Sequence, residues 1–357
     1  MLSKKLIGVF LTICTSMFPQ IGGLRTFSFL DLPIPARSCA LGGSSIAIWD
    51  KDVNLGYSNP ALFNTGCSRQ LAMNYVNYVA DLGYGNVSFA NQIKKHGVLG
   101  IGLQFFNYGK FDGRDEFNLE TNQFSAADYA LNVSFAKTLN KDSTLSLGVA
   151  LKTIYSNYDI YHSFGNAIDV GLTYHNKKDL TVSLVAKNYG KQWKPYFENS
   201  PTNDLPTNVQ FGVSKKVPKA PFRIIAQYDY LLKWDLTYND PRNVSEEIDP
   251  FTNQPIVKTK TELRRERISN GFNKFGRHLT IGTEMLMSKN FTVRMAYNFR
   301  KGMEMALPEV KKANGLSLGF GLKVFKIQLD YAFSKYALTG NVHTLGLTGN
   351  LNHLSKK

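Results

Sequence analysis

The sequence lacks several features that would point to common protein classes. It has three cysteines in 357 residues, and no Cys or His spacing matches a metal-binding motif. Beyond the N-terminal segment, no apolar run approaches the roughly 18 residues that a transmembrane helix needs. The six histidines lie in no recognisable nucleophile motif. We therefore predict no metal site, no cofactor, no helical membrane domain and no enzymatic activity.

The N-terminus has the pattern of an export signal. Two lysines precede an apolar run over residues 6–13, and small residues follow that run. This arrangement predicts a signal peptide over approximately residues 1–22. A lipoprotein signal is the alternative, because Cys14 ends the apolar run. The bulky Ile13 counts against it, since lipid attachment usually requires a small residue before the cysteine.

Two cysteines remain once the signal peptide is removed. Cys39 and Cys67 both precede the first predicted strand. An oxidising compartment would allow them to form a disulfide. Two buried free thiols are the other interpretation, and the sequence does not distinguish between the two.

Strict alternation of apolar and polar residues is the main pattern along the chain. Leu147, Val149 and Leu151, for example, alternate with small or polar residues, which places the two sets on opposite faces of a strand. The segments run longer than the usual 5–6 residues of soluble strands, as a tilted membrane crossing requires. We predict an all-β, 14-stranded antiparallel transmembrane β-barrel with strands at 70–78, 81–93, 97–108, 125–138, 143–156, 166–174, 180–189, 206–215, 222–231, 278–287, 291–300, 315–325, 326–334 and 341–351.

Connection lengths predict how this barrel is oriented. The second connection and each later even one is short, whereas the odd ones, apart from the first, are long. Short periplasmic turns and long external loops are typical of outer-membrane barrels. We therefore expect an outer-membrane protein with both termini in the periplasm. The long connections are predicted at 109–124, 157–165, 190–205, 232–277, 301–314 and 335–340.

The chain divides into four parts by this pattern. Residues 1–22 form the signal peptide, and 70–351 form the barrel. Residues 23–69 lack long alternation and contain a run of small residues, which can pack closely against other backbone. This segment is predicted to be a luminal plug. Residues 352–357 form a C-terminal tail.

Charged residues fall on the inferred luminal face of the predicted strands. Their signs balance, which favours ion pairs across a filled, non-conducting interior; a wet channel lined by scattered charges is the alternative. The predicted luminal charge network comprises Asp128, Lys152, Asp169, Lys187, Arg223, Asp229, Glu284, Arg294, Lys323 and Asp330.

The connection over 232–277 is far longer than usual, and long loops are often functional. Its first half is acidic and its second half basic. Aromatic and Arg side chains are favoured at protein interfaces, and Arg can also bind phosphate. We predict that this connection binds a surface partner; a solvated, self-neutralising loop is the alternative. The candidate partner-binding residues are Trp234, Tyr238, Arg264, Arg265 and Arg267.

The formal net charge is +15. Nothing resembles a nucleic-acid-binding motif, so we expect no nucleic-acid partner. Phosphates of lipopolysaccharide or an acidic protein are the partners that such a charge favours in an exported protein.

Several segments resemble one family when taken in order. The opening segments over 29–43 and 52–61, and shorter ones near 71–78 and 124–132, resemble the PorV/PorQ family of type IX secretion, closer to its PorQ branch. The unit at 59–61, Asn-Pro-Ala, is shared with the fatty-acid transporter (FadL) superfamily. The resemblance implies a FadL-like barrel with fourteen strands and an N-terminal plug, in the outer membrane of a Bacteroidetes-type bacterium.

The resemblance also implies a function without catalysis in this chain. Members of the PorQ branch are expected in a cell-surface attachment complex with a PorU-like sortase, a PorV-like barrel and a PorZ-like surface protein. The chain would anchor the PorZ-like partner, while the complex attaches secreted cargo to lipopolysaccharide. The alternatives are a FadL-type transporter of hydrophobic solutes and a PorV-like cargo shuttle. One departure is the chain end, which lacks the terminal aromatic residue of many outer-membrane barrels.

Overall fold

Fourteen antiparallel strands form a closed barrel in the computed structural model, which describes residues 25–79, 82–140, 142, 144–198, 200–237, 259–304, 314–335 and 340–351. Each strand pairs with its sequence neighbours, and β14 closes the ring on β1. All fourteen predicted strands are confirmed. Their bounds are β1 Gln70–Asn77, β2 Gly83–Ile93, β3 Gly97–Arg114, β4 Glu120–Thr138, β5 Leu145–Tyr158, β6 Tyr161–His175, β7 Leu180–Lys194, β8 Asn208–Lys216, β9 Phe222–Tyr228, β10 Leu279–Met285, β11 Phe291–Asn298, β12 Leu316–Val324, β13 Ile327–Ser334 and β14 Val342–Asn350.

The alternation places apolar side chains outside the ring. On β5, Leu147, Val149 and Leu151 are 37%, 42% and 49% exposed in the isolated chain, whereas the intervening residues are buried. Such an apolar outer surface is what lipid requires, since a soluble protein rarely exposes so large a patch. None of the described helices is both long and apolar enough to cross a membrane.

Three predicted loops are shorter in the structure because the strands continue past the apolar band. Most of the predicted connection 109–124 belongs to β3 and β4, and 157–165 reduces to residues 159–160. The start of 190–205 belongs to β7. Beyond the apolar band, side-chain pairs on neighbouring strands stabilise the strand pairing. The rings of Phe111 and Phe124, for example, stack with 5.3 Å between their centres. Apolar alternation is absent there, which is why the sequence prediction ended each strand early.

Two of the predicted loops contain helices. Helix α3 spans Lys260–Gly276 within the connection 232–277, and α4 spans Phe299–Glu304 between β11 and β12. Thr259 and Glu262 form a reciprocal capping box at the start of α3, which satisfies amide donors that the helix leaves open. The basic half of the long connection is therefore an ordered helix.

Residues 25–69 lie inside the ring as a plug of short elements. Helix α1 spans Ala36–Ala40 and α2 spans Leu55–Ser58. Three 3-10 turns cover Ser28–Asp31, Pro60–Leu62 and Thr65–Cys67. The side chains of Asn59 and Asn64 accept bonds from the amides of Ala61 and Gly66, at 2.9 Å each, and so cap the last two turns.

The plug reaches the wall on several sides of the ring. Gln104 of β3 donates to the carbonyl of Phe29 at 2.9 Å. Asn59 donates to Thr173 of β6 at 2.9 Å, and Gln227 of β9 accepts from the amide of Ile46 at 3.2 Å. Ser334 of β13 donates to the carbonyl of Cys39 at 3.2 Å. The plug therefore spans the lumen from wall to wall.

The direction of the plug is also defined. The amide of Thr26 donates to the carbonyl of Asp204, in the β7–β8 connection, at 3.0 Å, so the first described residues lie on the side of the long connections. Residues 64–66 lie with the short turns, where β1 begins. The predicted periplasmic position of the chain termini concerns residues 1–24 and 352–357, which lie outside the described residues, as does the signal peptide.

Close contact between plug and wall depends on glycine. Gly148 faces inward on β5, and a Cβ there would overlap the backbone of Pro60 and Ala61. We predict that Gly148→Val displaces the plug and lowers the free energy of unfolding by about 1–3 kcal/mol. The measurement is the denaturant concentration at which the refolded barrel loses its heat-modifiable gel mobility.

Gly349→Val provides the matched control for Gly148→Val. Gly349 lies on β14 and has no atom within 4 Å of a built Cβ. The same change there should leave the midpoint within experimental error of the parent chain. Equal midpoints for both variants would contradict the close approach of plug and wall.

Candidate functional site

A fully buried carboxylate, Glu284 of β10, lies at the centre of the lumen's largest ion network. Arg37 of the plug donates through Nε to its Oε1 at 2.8 Å and through Nη2 to its Oε2 at 2.9 Å. Arg223 of β9 donates to Oε2 at 2.7 Å, and Arg294 of β11 to Oε1 at 3.0 Å. Three guanidinium groups thus surround one carboxylate, so further carboxylates are needed to balance their charge.

Those acids come from both plug and wall. Arg294 pairs with Asp330 of β13 at 2.6 Å. Arg37 pairs with Asp52 at 3.1 Å and with Asp50 at 2.5 Å, and Asp50 also bonds Arg223 at 2.7 Å. Three arginines and four carboxylates share the cluster, so the charges nearly cancel. Because Arg37, Asp50 and Asp52 belong to the plug, the network bonds plug to wall.

Sequence reasoning missed the plug half of this network. A signal was present: Arg37 is a long basic residue within the run Ala36–Ala40, whose other members are small. A charge in such a run has to find a buried partner. The partner could not be read from the sequence, because Glu284 lies 247 residues away.

Of the ten sequence-predicted luminal residues, four join this network: Arg223, Glu284, Arg294 and Asp330. Lys152 and Asp169 form a second buried pair at 2.7 Å, and Lys152 also donates to Asn188 at 2.7 Å. Of the remaining four, Asp128, Lys187 and Asp229 lie elsewhere in the lumen, and Lys323 lies at its mouth.

Asp128 is bound by hydroxyl groups instead of by a cation. Tyr108 and Tyr158 donate to its Oδ2 at 2.7 and 2.9 Å, and Ser156 donates to its Oδ1. The three donors satisfy the carboxylate inside an aromatic cluster that also contains Phe106. Asp128 therefore belongs to the packing of the long-connection half of the lumen.

Lys187 and Asp229 border a small chamber of about 70 Å³ on the long-connection side. Tyr230 donates to Asp31 there at 3.0 Å, and the guanidinium of Arg300 lies 4.8 Å from the centre of the Tyr230 ring. Burial raises the pKa of the Asp31 carboxyl, although the nearby Lys187 ammonium acts in the opposite direction. By volume the chamber has room for about two waters, at about 30 Å³ each.

The short-turn side of the lumen contains a larger cavity, of about 990 Å³. Arg37, Arg223 and Arg294 of the ion network form its inner end, and Trp49 and Phe63 of the plug contribute rings to it. Most of the other residues that line it are polar or charged, and Val98, Ala136 and Leu286 are apolar. Lys323, predicted within the luminal network, lies instead at the mouth of this cavity and is exposed, because its strand ends one residue later.

The outer wall carries an apolar depression of about 590 Å³ at the closing seam. Strands β1, β13 and β14 contribute Tyr75, Leu329 and Leu345 to it, and Phe105 of β3 and Phe320 of β12 complete its sides. Gly346 of β14 also lines it, although a side chain at this position would point inward, toward Asn74 and Ala36.

The predicted partner-binding residues lie on the long-connection side. Trp234 is 57% exposed, and its ring stacks with His278 at 6.0 Å. Arg264, Arg265 and Arg267 are exposed on α3. Lys274 pairs with Asp235 at 2.5 Å and fixes the end of α3 beside Trp234. Tyr238 lies outside the described residues.

No protein-family model and no curated protein sequence matches the chain. Its structure is similar to the toluene transporter TbuX of Ralstonia pickettii, at 12% identity over 91% of this chain and 100% of that chain, with a TM-score of 0.50. It is also similar to the toluene transporter TodX of Pseudomonas putida, at 11% identity over 89% of this chain and 97% of that chain, with a TM-score of 0.51. A FadL homologue of Pseudomonas aeruginosa is similar at 10% identity over 90% of this chain and 99% of that chain, with a TM-score of 0.50.

The chain has the fold of the FadL-like outer-membrane barrels. At these identities the likeness establishes the fold alone, and the prediction of a FadL-like, 14-stranded barrel is confirmed. The narrower resemblance to the PorV/PorQ family stays a prediction. Among the described residues, no group of three His, Cys, Asp or Glu side chains is placed to hold a metal ion.

The network of this FadL-like barrel predicts the effect of removing one charge. Glu284→Gln would replace the one carboxylate that bonds all three buried guanidinium groups with an amide, whose N–H donors would face the N–H donors of the arginines. We expect the free energy of unfolding to fall by about 3–5 kcal/mol, the usual cost of breaking a buried ion pair. Denaturant titration of the refolded barrel, followed by gel mobility, measures this change.

Glu120→Gln provides the control for the charge change itself. Glu120 pairs with Arg114 at 3.2 Å, but both side chains are largely exposed. Its removal should cost about 0–1 kcal/mol. A midpoint for Glu284→Gln equal to that of Glu120→Gln would show that the network does not hold the plug.

The cysteines give a separate prediction. Cys39 and Cys67 are both buried and free, so the possible disulfide is not formed; they lie in different parts of the plug. Burial raises the pKa of the Cys39 thiol to about 11 and that of Cys67 to about 12. Since the thiolate is the reactive form, neither should react with a maleimide at pH 8 in the folded barrel. Once the predicted signal peptide with Cys14 is removed, intact mass should show two labels after denaturation, and a labelled folded chain would contradict the burial.

Proposed function

We propose that this chain is a sealed outer-membrane anchor that holds a protein partner at the cell surface. The observation that carries this proposal is the plug, which the buried Arg37–Glu284 network bonds to the wall at β9 and β10. Gln104 of β3 and Thr173 of β6 bind the plug on the other side of the ring. Such a plug occupies the lumen and leaves the long connections as the surface available for function. The short turns would face the periplasm and the long connections the exterior, as in other outer-membrane barrels.

The partner is proposed from the sequence resemblance. A PorQ-like chain would hold a PorZ-like surface protein, beside a PorU-like sortase and a PorV-like barrel, while cargo is attached to lipopolysaccharide. The exposed Trp234 and the arginines of α3 provide an aromatic and Arg combination that is enriched in protein interfaces. The ion pair between Lys274 and Asp235 orders this surface in advance, which reduces the entropy lost on binding.

Substitution of the α3 arginines tests the anchoring proposal. The triple variant Arg264→Gln, Arg265→Gln and Arg267→Gln should reduce the surface protein that co-purifies with the tagged barrel from native outer membrane by about tenfold or more, as loss of interface Arg anchors implies. Quantitative mass spectrometry in mild detergent measures the ratio. Barrel yield and gel mobility should not change, because the three side chains are exposed.

The matched control removes equal charge elsewhere on the same side. Lys110→Gln, Lys191→Gln and Lys194→Gln alter exposed residues of β3 and β7 and should leave the partner ratio unchanged. No stoichiometric surface protein with the parent barrel, or equal loss in both triple variants, would reject the anchoring role.

Transport of hydrophobic solutes is the second candidate, favoured by the likeness to TbuX and TodX, which are toluene transporters. The apolar depression beside Gly346 offers such a solute a place at the wall. In this case the purified barrel would retain an apolar ligand, and liposomes containing it would take up toluene faster than empty ones. A cargo shuttle of the PorV type would instead co-purify with secreted cargo.

A further inference from the structure

The cavity on the short-turn side is surrounded by lysines from four separate elements. Lys51 comes from the plug, Lys216 from the end of β8, Lys289 from the β10–β11 turn and Lys323 from β12. Four parts of the chain thus direct the same charge toward one volume of about 990 Å³. Nothing in the barrel's packing requires this convergence, since turn residues of any polar type would be solvated there.

These four lysines differ from the arginines at the inner end of the cavity. Arg37, Arg223 and Arg294 are neutralised by the carboxylates of the network. None of the four lysines forms an ion pair with a described residue. Their charges therefore act on the cavity, whose low-dielectric walls concentrate the field.

The surface around the mouth adds to the same field. Among the described residues of the short-turn side, the exposed acids are Asp142 and Asp179. The exposed lysines there outnumber them and are Lys94, Lys95, Lys137, Lys177, Lys178, Lys219 and Lys326. The long-connection side has no such bias, since Asp115, Glu116 and Glu120 are exposed there with its basic residues. One end of the molecule is therefore strongly basic.

We infer that this cavity binds an acidic polypeptide segment of a periplasmic partner. A lipid headgroup is held outside the ring by its acyl chains and does not enter the mouth. A small anion would leave most of the volume unfilled, whereas an extended peptide can use it. Side-chain amides and hydroxyls of Thr65, Asn290 and Gln328 line the cavity and suit the donors and acceptors of a peptide backbone.

The inference adds a second binding surface to the proposed function and rests on it for one point, the periplasmic position of the short turns. Partner loss at α3 and peptide binding at this cavity are independent, because they concern opposite ends of the barrel. A purified chain with no surface protein present can therefore be tested for peptide binding.

The experiment uses the full chain in phosphatidylcholine nanodiscs and a fluorescent hexaglutamate peptide, with hexalysine as the charge-reversed probe. Anisotropy should report binding of hexaglutamate and none of hexalysine. Affinity should fall steeply between about 0.1 M and about 1 M salt, over which the Debye length falls from about 10 Å to about 3 Å.

Two variants of equal charge separate the cavity from the general surface. Lys51→Gln, Lys289→Gln and Lys323→Gln remove three charges from the mouth, and Lys94→Gln, Lys178→Gln and Lys219→Gln remove three from the rim outside it. We expect about a tenfold loss of affinity for the first and under about threefold for the second, since focusing is confined to the cavity. All six residues are exposed, and unchanged gel mobility confirms folding.

Three outcomes would overturn the inference. They are equal losses in both variants, absence of hexaglutamate binding to the parent chain at low salt, and full displacement of the peptide by phosphatidylglycerol vesicles. The last result would assign the lysines to lipid headgroups.

Discussion

Backbone hydrogen bonding in hydrocarbon is the constraint on which the rest of this structure depends. No water inside a bilayer can satisfy a free amide or carbonyl, so every strand needs two neighbours and the sheet must close. The pairing of β14 with β1 meets that requirement. Closure in turn fixes which face of each strand meets lipid, and it creates an interior that side chains or a separate segment must occupy. The alternation, the inward-facing polar residues and the plug all follow from this closure.

The interior is controlled by a second cost, that of removing charge from water. Arg37 is 6% exposed and Glu284 is 0% exposed, and neither would be tolerated alone at such burial. Each becomes acceptable because plug and wall supply opposite charges at hydrogen-bond distance. A neutral apolar interface could match this pairing in stability. The ion-pair network also restricts the plug to one arrangement, since a shifted guanidinium would lose its carboxylate.

The sequence predicts those features that repeat along the chain and misses those that depend on distant partners. The number of strands and the inward or outward direction of each side chain follow from local alternation. Fourteen strands and the inward position of Arg294 and Glu284 could therefore be predicted. Strand ends could not, because β3 and β4 continue beyond the membrane without apolar alternation. Helix α3 carried a readable signal in Thr259 and Glu262. Arg37 itself carried a signal, but its partner did not, since only closure of the ring brings Glu284 next to it.

The position of the plug has a consequence for biogenesis. The plug is the first part of the described chain to be synthesised, and α1 contacts β12, β13 and β14, which are synthesised last. The contacts of α1 with the wall are therefore complete only when these final strands are in place. Because β14 also closes the ring on β1, the strands that seal the edge of the sheet are the same ones that enclose the start of the plug. The two ends of the described chain thus depend on each other in the folded barrel.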